Sequence, residues 1–446
     1  VVVANRRDAP DFDCDLQISG DGGRGWLSVV PVPELPAGAD KCYAPEVAFD
    51  ADGVLYYLFV GLQGAGNEPM GAFLTVSRDR GRTFTMARQV LGPRNFGVRM
   101  AIDHTMGDSG RMHLVWLHAT SEPPTGGFGP PPNPIFTAHS DDGGQTFSEP
   151  LQVSDTSRER VVAPAVALGP DHAVHVAYYD LGRDAIDYRG LEGPTWTGTW
   201  SLVISSSIDG AENFERGVVV DDQVTPNERV MLVFTMPPPT LAAGDNQLCA
   251  AWTDGRKGDA DAVVRCSLDR GRNWGPLHRL NDDPVGNGRS QYLPRLSLSP
   301  GGRIDAIFYD RRSNVENLAN DVYYTYSTDG AQSFAANVRI TREGSDSRIG
   351  QQYAVVSARG QVEFGSRLAL LARSGSALAV WTDTRNSKPE TTAQDLFATE
   401  IVLPTADDAS GGGRVAGSVL LLAGLAALAT SAIRGRGRRG AAAGKS

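Results

Sequence analysis

The sequence has almost no lysine: of 42 basic residues, four are Lys and 38 are Arg. Cysteine is equally scarce, with four in 446 residues. Four Cys cannot staple so long a chain, so a small disulfide scaffold is excluded. Positive charge is short too. The 52 acidic residues leave a net charge of −10, which disfavours a general nucleic-acid binder. No His pair or Cys cluster has zinc-ligand spacing; His104, His113 and His118 are scattered over one strand and its loops. No long amphipathic helix pattern occurs before the C-terminal apolar run. What is plentiful is turn-forming residues, 51 Gly and 27 Pro. With 41% hydrophobic residues, wholesale disorder is excluded. The length suits two ordinary domains or one large closed β architecture.

Residues 415–433 (VAGSVLLLAGLAALATSAI) carry no charge. At about 1.5 Å per residue they span a bilayer core of about 30 Å. Arg414 precedes the run, and Arg434, Arg436, Arg438, Arg439 and Lys445 follow it. The positive-inside rule places residues 434–446 in the cytoplasm and the acidic part outside. Residues 405–414 (TADDASGGGR) read as a flexible stalk. The expectation is a single-pass cell-membrane protein with residues 1–404 extracellular. The arginine bias fits GC-rich coding DNA, and a bacterial source is expected.

An octapeptide recurs, Ser-x-Asp-x-Gly-x-(Thr/Ser/Asn)-(Phe/Trp). Its copies are SRDRGRTF at 77–84, SDDGGQTF at 140–147 and SLDRGRNW at 267–274. Weaker copies are STDGAQSF at 327–334 and SGDGGRGW at 19–26. The spacing is near 60 residues except for one gap of about twice that, so a decayed copy is expected near Asp187–Trp196. Between copies lie short alternating or β-branched runs such as VLYYLFVG (54–61), MHLVWLH (112–118) and RIDAIFYD (303–310), which read as strands. Four strands per unit describe propeller blades. The expected units are 44–92, 99–155, 162–206, 215–282, 292–341 and 350–404, with residues 1–35 supplying the later strands of a further, incomplete blade. The fold class is therefore an all-β propeller of four-stranded antiparallel blades, seven with six as the alternative, plus one C-terminal transmembrane helix.

The octapeptide resembles the Asp box of the BNR repeat, and residues 1–404 resemble the sialidase-like propeller superfamily. The resemblance implies that each box forms the turn between third and fourth strands. Asp79, Asp142 and Asp269 are then turn caps rather than catalytic groups. It also implies an extracellular glycoside hydrolase of the exo-alpha-sialidase type. Three Arg would bind the sugar carboxylate, an Asp would serve as acid/base, and a Tyr nucleophile would be activated by a Glu. Candidates for the catalytic roles are Asp103, Glu215, Tyr292, Tyr353 and Glu363. The family's Arg-Ile-Pro is matched only by Tyr43-Ala44-Pro45, so its first Arg is missing.

In an antiparallel four-strand unit, the boxes share one side with the turns between first and second strands. A second motif falls on the opposite side: Asp180-Leu181-Gly182-Arg183, Asp254-Gly255-Arg256, Asp310-Arg311-Arg312 and Asp383-Thr384-Arg385. Arg99, Arg160, Arg216, Arg295 and Arg367 lie in or near the starts of first strands. The candidate ligand-binding set is Arg99, Arg216, Arg295, Arg367, Asp254, Arg256, Asp310, Arg311, Asp383 and Arg385. A repeated Asp–Arg pair also suits a tie between neighbouring blades. No cofactor is required. Asp259-Ala260-Asp261 and Asp282-Asp283 suggest structural calcium but lack a complete loop signature.

Four Cys allow three pairings. Cys249 and Cys266 fall in second and third strands of one blade, and Cys14 and Cys42 in adjacent N-terminal segments. The simplest pairing is Cys14–Cys42 with Cys249–Cys266, as an oxidising exterior permits. Two functions follow: hydrolysis of terminal sugars, or non-catalytic binding of a glycan or surface glycoprotein. Nucleic acid is not an expected partner.

Overall fold

The structure is a computed structural model that describes residues 1–7, 13–31, 35–65, 67–107, 110–121, 130–185, 195–226, 237–346, 368–386 and 395–403. The stalk, apolar run and basic tail expected over 405–446 lie outside these residues. Among the described residues every element is a strand, and no helix is long and apolar enough to cross a membrane.

The strands form seven antiparallel sheets in chain order. The first holds β1 (Val2–Arg7), β2 (Asp13–Ile18) and β3 (Leu27–Pro31). The second holds β4 (Lys41–Phe49), β5 (Leu55–Gln63), β6 (Glu68–Ser77) and β7 (Arg88–Leu91). The third holds β8 (Asn95–Asp103), β9 (Arg111–His118), β10 (Ile135–Ser140) and β11 (Leu151–Gln152). The fourth holds β12 (Val161–Leu168), β13 (Val174–Asp180), β14 (Trp200–Ser207) and β15 (Val218–Val224). The fifth holds β16 (Thr240–Ala243), β17 (Leu248–Asp254), β18 (Asp261–Ser267) and β19 (His278–Arg279). The sixth holds β20 (Gln291–Leu298), β21 (Ile304–Asp310), β22 (Ala319–Ser327) and β23 (Val338–Arg339), with β24 (Ser345–Asp346) also pairing β22. The seventh holds β25 (Ala369–Ala372), β26 (Ser376–Asp383) and β27 (Asp395–Val402).

Each sheet packs on the next through its first strands. The apolar second strands are buried on both faces: β5 carries Leu55, Tyr57 and Phe59, and β21 carries Ile307 and Phe308, all inaccessible to water. Such strands read as continuous apolar runs rather than alternating ones because each sheet is sandwiched between two others. The series returns to its start. Leu378, Val380 and Ala398 of the seventh sheet pack with Val1, Val3 and Trp26 of the first, and Arg373 Nη2 donates to Gly22 O at 2.8 Å.

Two boundaries differ from the sequence reading. Residues 218–224 close the fourth sheet, and the fifth begins at Thr240. The run Val218-Val219-Val220 mimics a buried first strand, yet it pairs only with β14 and leaves Val218 and Val219 exposed. The expected decayed octapeptide is also misplaced. The true copy is SIDGAENF at 207–214, directly between β14 and β15. Residues 187–194 of the segment expected to hold it lie outside the described set.

All six octapeptides close the same way. The Ser hydroxyl donates to the Asp carboxylate at 2.7–2.8 Å. It accepts the N–H four residues on at 2.7–3.0 Å. The Asp accepts the N–H four residues beyond itself at 2.8–3.0 Å. In five copies the side chain at that position bonds the second carboxylate oxygen at 2.6–3.0 Å. Ala211 and Ala331 stand where other copies have Gly and hold φ of 70° and 67°, a strained conformation that the turn's bonds sustain.

The two disulfides are Cys14–Cys42 and Cys249–Cys266. The first joins β2 to β4, and so one sheet to the next. The second joins opposed residues of β17 and β18 within one sheet.

Candidate functional site

The octapeptides occupy one face, called here the turn face, and their carboxylates are committed. Bonds from the Thr83 and Ser333 side chains are the largest cause holding Asp79 and Asp329 at about 2. For Asp269 it is the Asn273 N–H. For Asp142 and Asp209 desolvation pushes upward, and the same kinds of bond outweigh it, again to about 2. Such groups are ionised and fully bonded, unsuited to acid/base work at neutral pH.

The opposite, loop face is built differently. Four first strands carry a bulge at the same place: Tyr43-Ala44-Pro45-Glu46, Phe96-Gly97-Val98-Arg99, Val162-Ala163-Pro164-Ala165 and Tyr292-Leu293-Pro294-Arg295. The second residue of each holds a positive φ, 49° for Ala44, 55° for Ala163 and 51° for Leu293, with Gly97 at 58°. The repeated bulge links sheets. Arg99 Nη1 donates to Glu46 Oε1 at 2.9 Å, Arg99 Nε to Pro164 O at 3.1 Å, and Met100 N to Glu46 Oε2 at 2.7 Å. Three sheets are thereby joined near the starts of their innermost strands. Where the family resemblance expects an arginine, Tyr43 is buried. The sequence carries this signal three times, as Tyr-Ala-Pro, Val-Ala-Pro and Tyr-Leu-Pro.

The Asp-x-Arg motifs form brackets. In the fifth sheet Asp254 Oδ1 accepts Arg256 N and Nε, both at 2.9 Å, and Oδ2 accepts Trp252 Nε1 at 2.9 Å. The guanidinium then crosses to Asp221 of the fourth sheet at 2.8 Å. In the sixth, Arg312 bonds Asp310 at 2.7 and 2.8 Å, reaches Asp282 beyond the fifth sheet, and lies 4.3 Å from the Tyr323 ring centroid. In the seventh, Arg385 bonds Asp383 at 2.8 and 2.9 Å and lies over Phe397. The fourth sheet varies the device, for Asp180 pairs with Arg158 and Arg183 is exposed. Burial opposes the charge on Arg256 and Arg312, but bonds to the carboxylates outweigh it and raise both pKa values. Desolvation raises Asp310, against the pull of Arg312.

Between two of these brackets sits a denser cluster. Tyr292 donates its hydroxyl to Asn320 Oδ1 at 2.7 Å, and Arg311 Nε donates to the same oxygen at 2.7 Å. Because a guanidinium only donates, the amide orientation is fixed. Asn320 Nδ2 is buried without a partner. The Arg311 guanidinium lies 5.1 Å from the Tyr292 ring centroid, and Tyr292 stacks on Tyr309. A nucleophilic tyrosine needs a proton acceptor. One partner of the phenol here is the Asn320 amide oxygen, which takes no proton.

The remaining expected site residues are dispersed. Asp103 ends β8 on the turn face, where it is buried and bonds Thr105 and His172. Glu215 and Arg216 follow an octapeptide and are exposed; Arg216 pairs with Asp155. Arg295 takes the bulge position in the sixth sheet that Arg99 takes in the third. Tyr353, Glu363 and Arg367 lie outside the described residues. The structure therefore joins Tyr292 to Arg311 and places Asp254, Arg256, Asp310, Asp383 and Arg385 on the loop face, while Asp103 and Glu215 stand apart from them. Glu46, Asn320 and Asp221 were not anticipated. Glu46 follows the Pro of the bulge motif, which is the one clue the sequence held.

The two acidic motifs considered for calcium do meet, around a guanidinium. Arg279 Nε donates to Asp261 Oδ1 at 2.8 Å and Nη2 to Asp283 Oδ1 at 3.2 Å. Desolvation raises the Asp261 pKa, with Asn281 and Arg279 opposing. Among the described residues, no group of three or more His, Cys, Asp or Glu is arranged to hold a metal ion.

No protein-family model matches the chain, and no curated protein matches its sequence. The following solved structures are similar to it in part. The GH93 alpha-L-arabinofuranosidase of Fusarium graminearum, in complex with arabinobiose, is 13% identical and covers 85% of this chain and 98% of its own, with a TM-score of 0.48. A Hadza microbial sialidase is 14% identical over 84% of this chain and 71% of its own, with a TM-score of 0.47. The Penicillium chrysogenum alpha-L-arabinanase complexed with arabinobiose is 17% identical over 72% and 80%, with a TM-score of 0.42. The substrates named belong to those proteins.

Proposed function

We propose that this chain is a membrane-anchored, extracellular, sialidase-like propeller of seven blades that engages terminal sugars of glycans on its loop face. The observation that carries the reading is the sixfold octapeptide turn. Its hydrogen bonds are those expected of an Asp box, and they consume the turn face while leaving chemistry to the other. Hydrolysis of terminal sugars is the version the family resemblance implies. Recognition without cleavage is the second version, and two observations favour it: Tyr43 replaces the first arginine, and the Tyr292 hydroxyl bonds an amide. Anchoring rests on the apolar run 415–433 and its basic flank.

The test uses the full chain in detergent against a panel of fluorogenic glycosides and a glycan array. Turnover that falls more than 100-fold in Tyr292→Phe supports hydrolysis with a tyrosine nucleophile. Array binding without turnover supports recognition. Neither binding nor turnover on any sugar removes the glycan reading.

A further inference from the structure

Strand direction fixes where the chain leaves the seventh sheet. Third strands start on the loop face and end on the turn face, so β27 delivers Leu403 to the octapeptide side. Leu403 N donates to Gly375 O in the β25–β26 turn at 3.1 Å. That turn's Arg373 in turn bonds Gly22 of the first octapeptide at 2.8 Å. The ten residues 405–414 then separate this point from the apolar run. Fully extended they reach about 35 Å, and as a flexible coil about 17 Å.

The exposed apolar side chains fall in the same direction. Among the described residues nine large hydrophobic residues are exposed, and four lie in octapeptides or within two residues after them: Leu27, Met86 (91% exposed), Ile208 and Leu268. Ile208 and Leu268 hold the same octapeptide position in adjacent sheets. Nothing in the turn needs an apolar residue there, since the equivalent position is Arg78, Asp141 or Thr328 elsewhere. Exposed Arg78, Arg80 and Arg82 stand near Met86 in sequence, and Arg270 and Arg272 near Leu268. Exposed acids also lie on this face, among them Asp52, Asp171, Asp245 and Glu215; Asp141 and Glu212 are clamped by Arg111, and Asp171 pairs with Arg270. Apolar tips with arginines beside them suit the interfacial zone of a bilayer. Of the other five exposed hydrophobics, Val285 and Val315 are on the loop face, Val218 and Val219 on the outer strand β15, and Leu371 in β25.

We propose that the turn face lies against the lipid bilayer surface, with Leu27, Met86, Ile208 and Leu268 entering the headgroup region, and that the loop face points away from it. The proposal rests on the reading of 415–433 as an anchor. The occupant of the turn face is then the membrane itself. The loop-face site is presented to the medium, where a glycan on another molecule can reach it.

All four cysteines are in disulfides, so introduced thiols can be labelled selectively. The full chain is reconstituted into vesicles of phosphatidylglycerol and phosphatidylethanolamine as Met86→Cys, Leu268→Cys or Val315→Cys, each carrying an environment-sensitive fluorophore. A spin label on the lipid headgroup is the quencher. Quenching at positions 86 and 268 is expected to be at least threefold stronger than at 315. Equal or stronger quenching at 315, in chain that floats with the vesicles, overturns the orientation and leaves the anchor reading standing. Chain that fails to float with vesicles overturns both. A triple variant, Met86→Ser with Ile208→Ser and Leu268→Ser, separates contact from tethering. It should still float but show about half the quenching at a Leu27→Cys label; unchanged quenching there overturns the contact.

Discussion

The two faces of the molecule differ in how their recurring motifs are bonded. On the turn face each octapeptide satisfies its own backbone with its own Ser and Asp, within eight residues. On the loop face the bonds run between sheets, as with Arg99 and Glu46, Arg256 and Asp221, or Arg312 and Asp282. Even the disulfides divide this way, with Cys249–Cys266 inside one sheet and Cys14–Cys42 between two. A local solution can be copied unchanged around a closed series of sheets. A bridging solution depends on the neighbour and therefore varies.

The disulfides give the largest contrast. They close loops of 28 and 17 residues, and loop entropy assigns each about 3 kcal/mol. Removing either by paired Cys→Ser change should cost a similar amount in urea unfolding. Only the Cys14→Ser, Cys42→Ser variant should release the first sheet, seen as preferential early proteolysis within residues 1–40. Early cleavage there in the Cys249→Ser, Cys266→Ser variant would dissolve the distinction.

Next is the carboxylate pair test. Asp310 is inaccessible to water and faces Arg312. Its removal leaves a half-buried guanidinium with poorer compensation, so Asp310→Ala should cost about 3 kcal/mol. Asp329→Ala in the exposed octapeptide of the same sheet should cost clearly less, because water replaces the lost acceptor. Equal shifts in the unfolding midpoint would break the comparison.

The pH dependence should differ in sign. Octapeptide carboxylates such as Asp329, held at about 2, lie below their unfolded value. Their stabilisation is complete above that unfolded value, about 4, and is lost as pH falls through about 2. Asp261 and Asp310 are raised by desolvation. Their contribution is present at low pH and is lost as pH rises through the folded pKa. Asp329→Asn should therefore flatten the stability loss between pH 4 and 2, measured by urea midpoint. An unchanged slope would contradict the bonding described for the turn.

The smallest effect is expected at Tyr292. Tyr292→Phe removes the hydroxyl's bonds to Asn320 and Arg311, but Arg311 Nε still occupies the Asn320 oxygen, so the loss should be about 1 kcal/mol. A much larger loss would mean that the hydroxyl organises the cluster rather than joining it.

Legibility followed the same division. The octapeptides could be read because each is complete in eight residues. The copy at 207–214 has Ala211 in place of Gly, as the copy at 327–334 has Ala331, so its signal is present but weaker. The β15 boundary is not legible in the sequence because Val218-Val219-Val220 has the composition of an inner strand; its outer position shows only in its pairing with β14 alone. The loop face was legible as residue types, Asp, Arg and aromatic, but not as partners. Asp221 is separated from Arg256 by 35 residues, and no local pattern announces such a bond. Glu46 and Arg99 meet across 53 residues only because a bulge recurs at the same height in neighbouring sheets.

The sequence by itself determined the repeat, the strands and the turn chemistry, because those depend on residues a few positions apart. It also marked the apolar run and the asymmetry of charge around it. Tertiary structure decided which Arg joins which Asp, that the tyrosine hydroxyl meets an amide, and that the chain departs from the octapeptide face. Each of these depends on how sheets distant in sequence are stacked, and stacking is set by the whole closed set of buried strands rather than by any one of them.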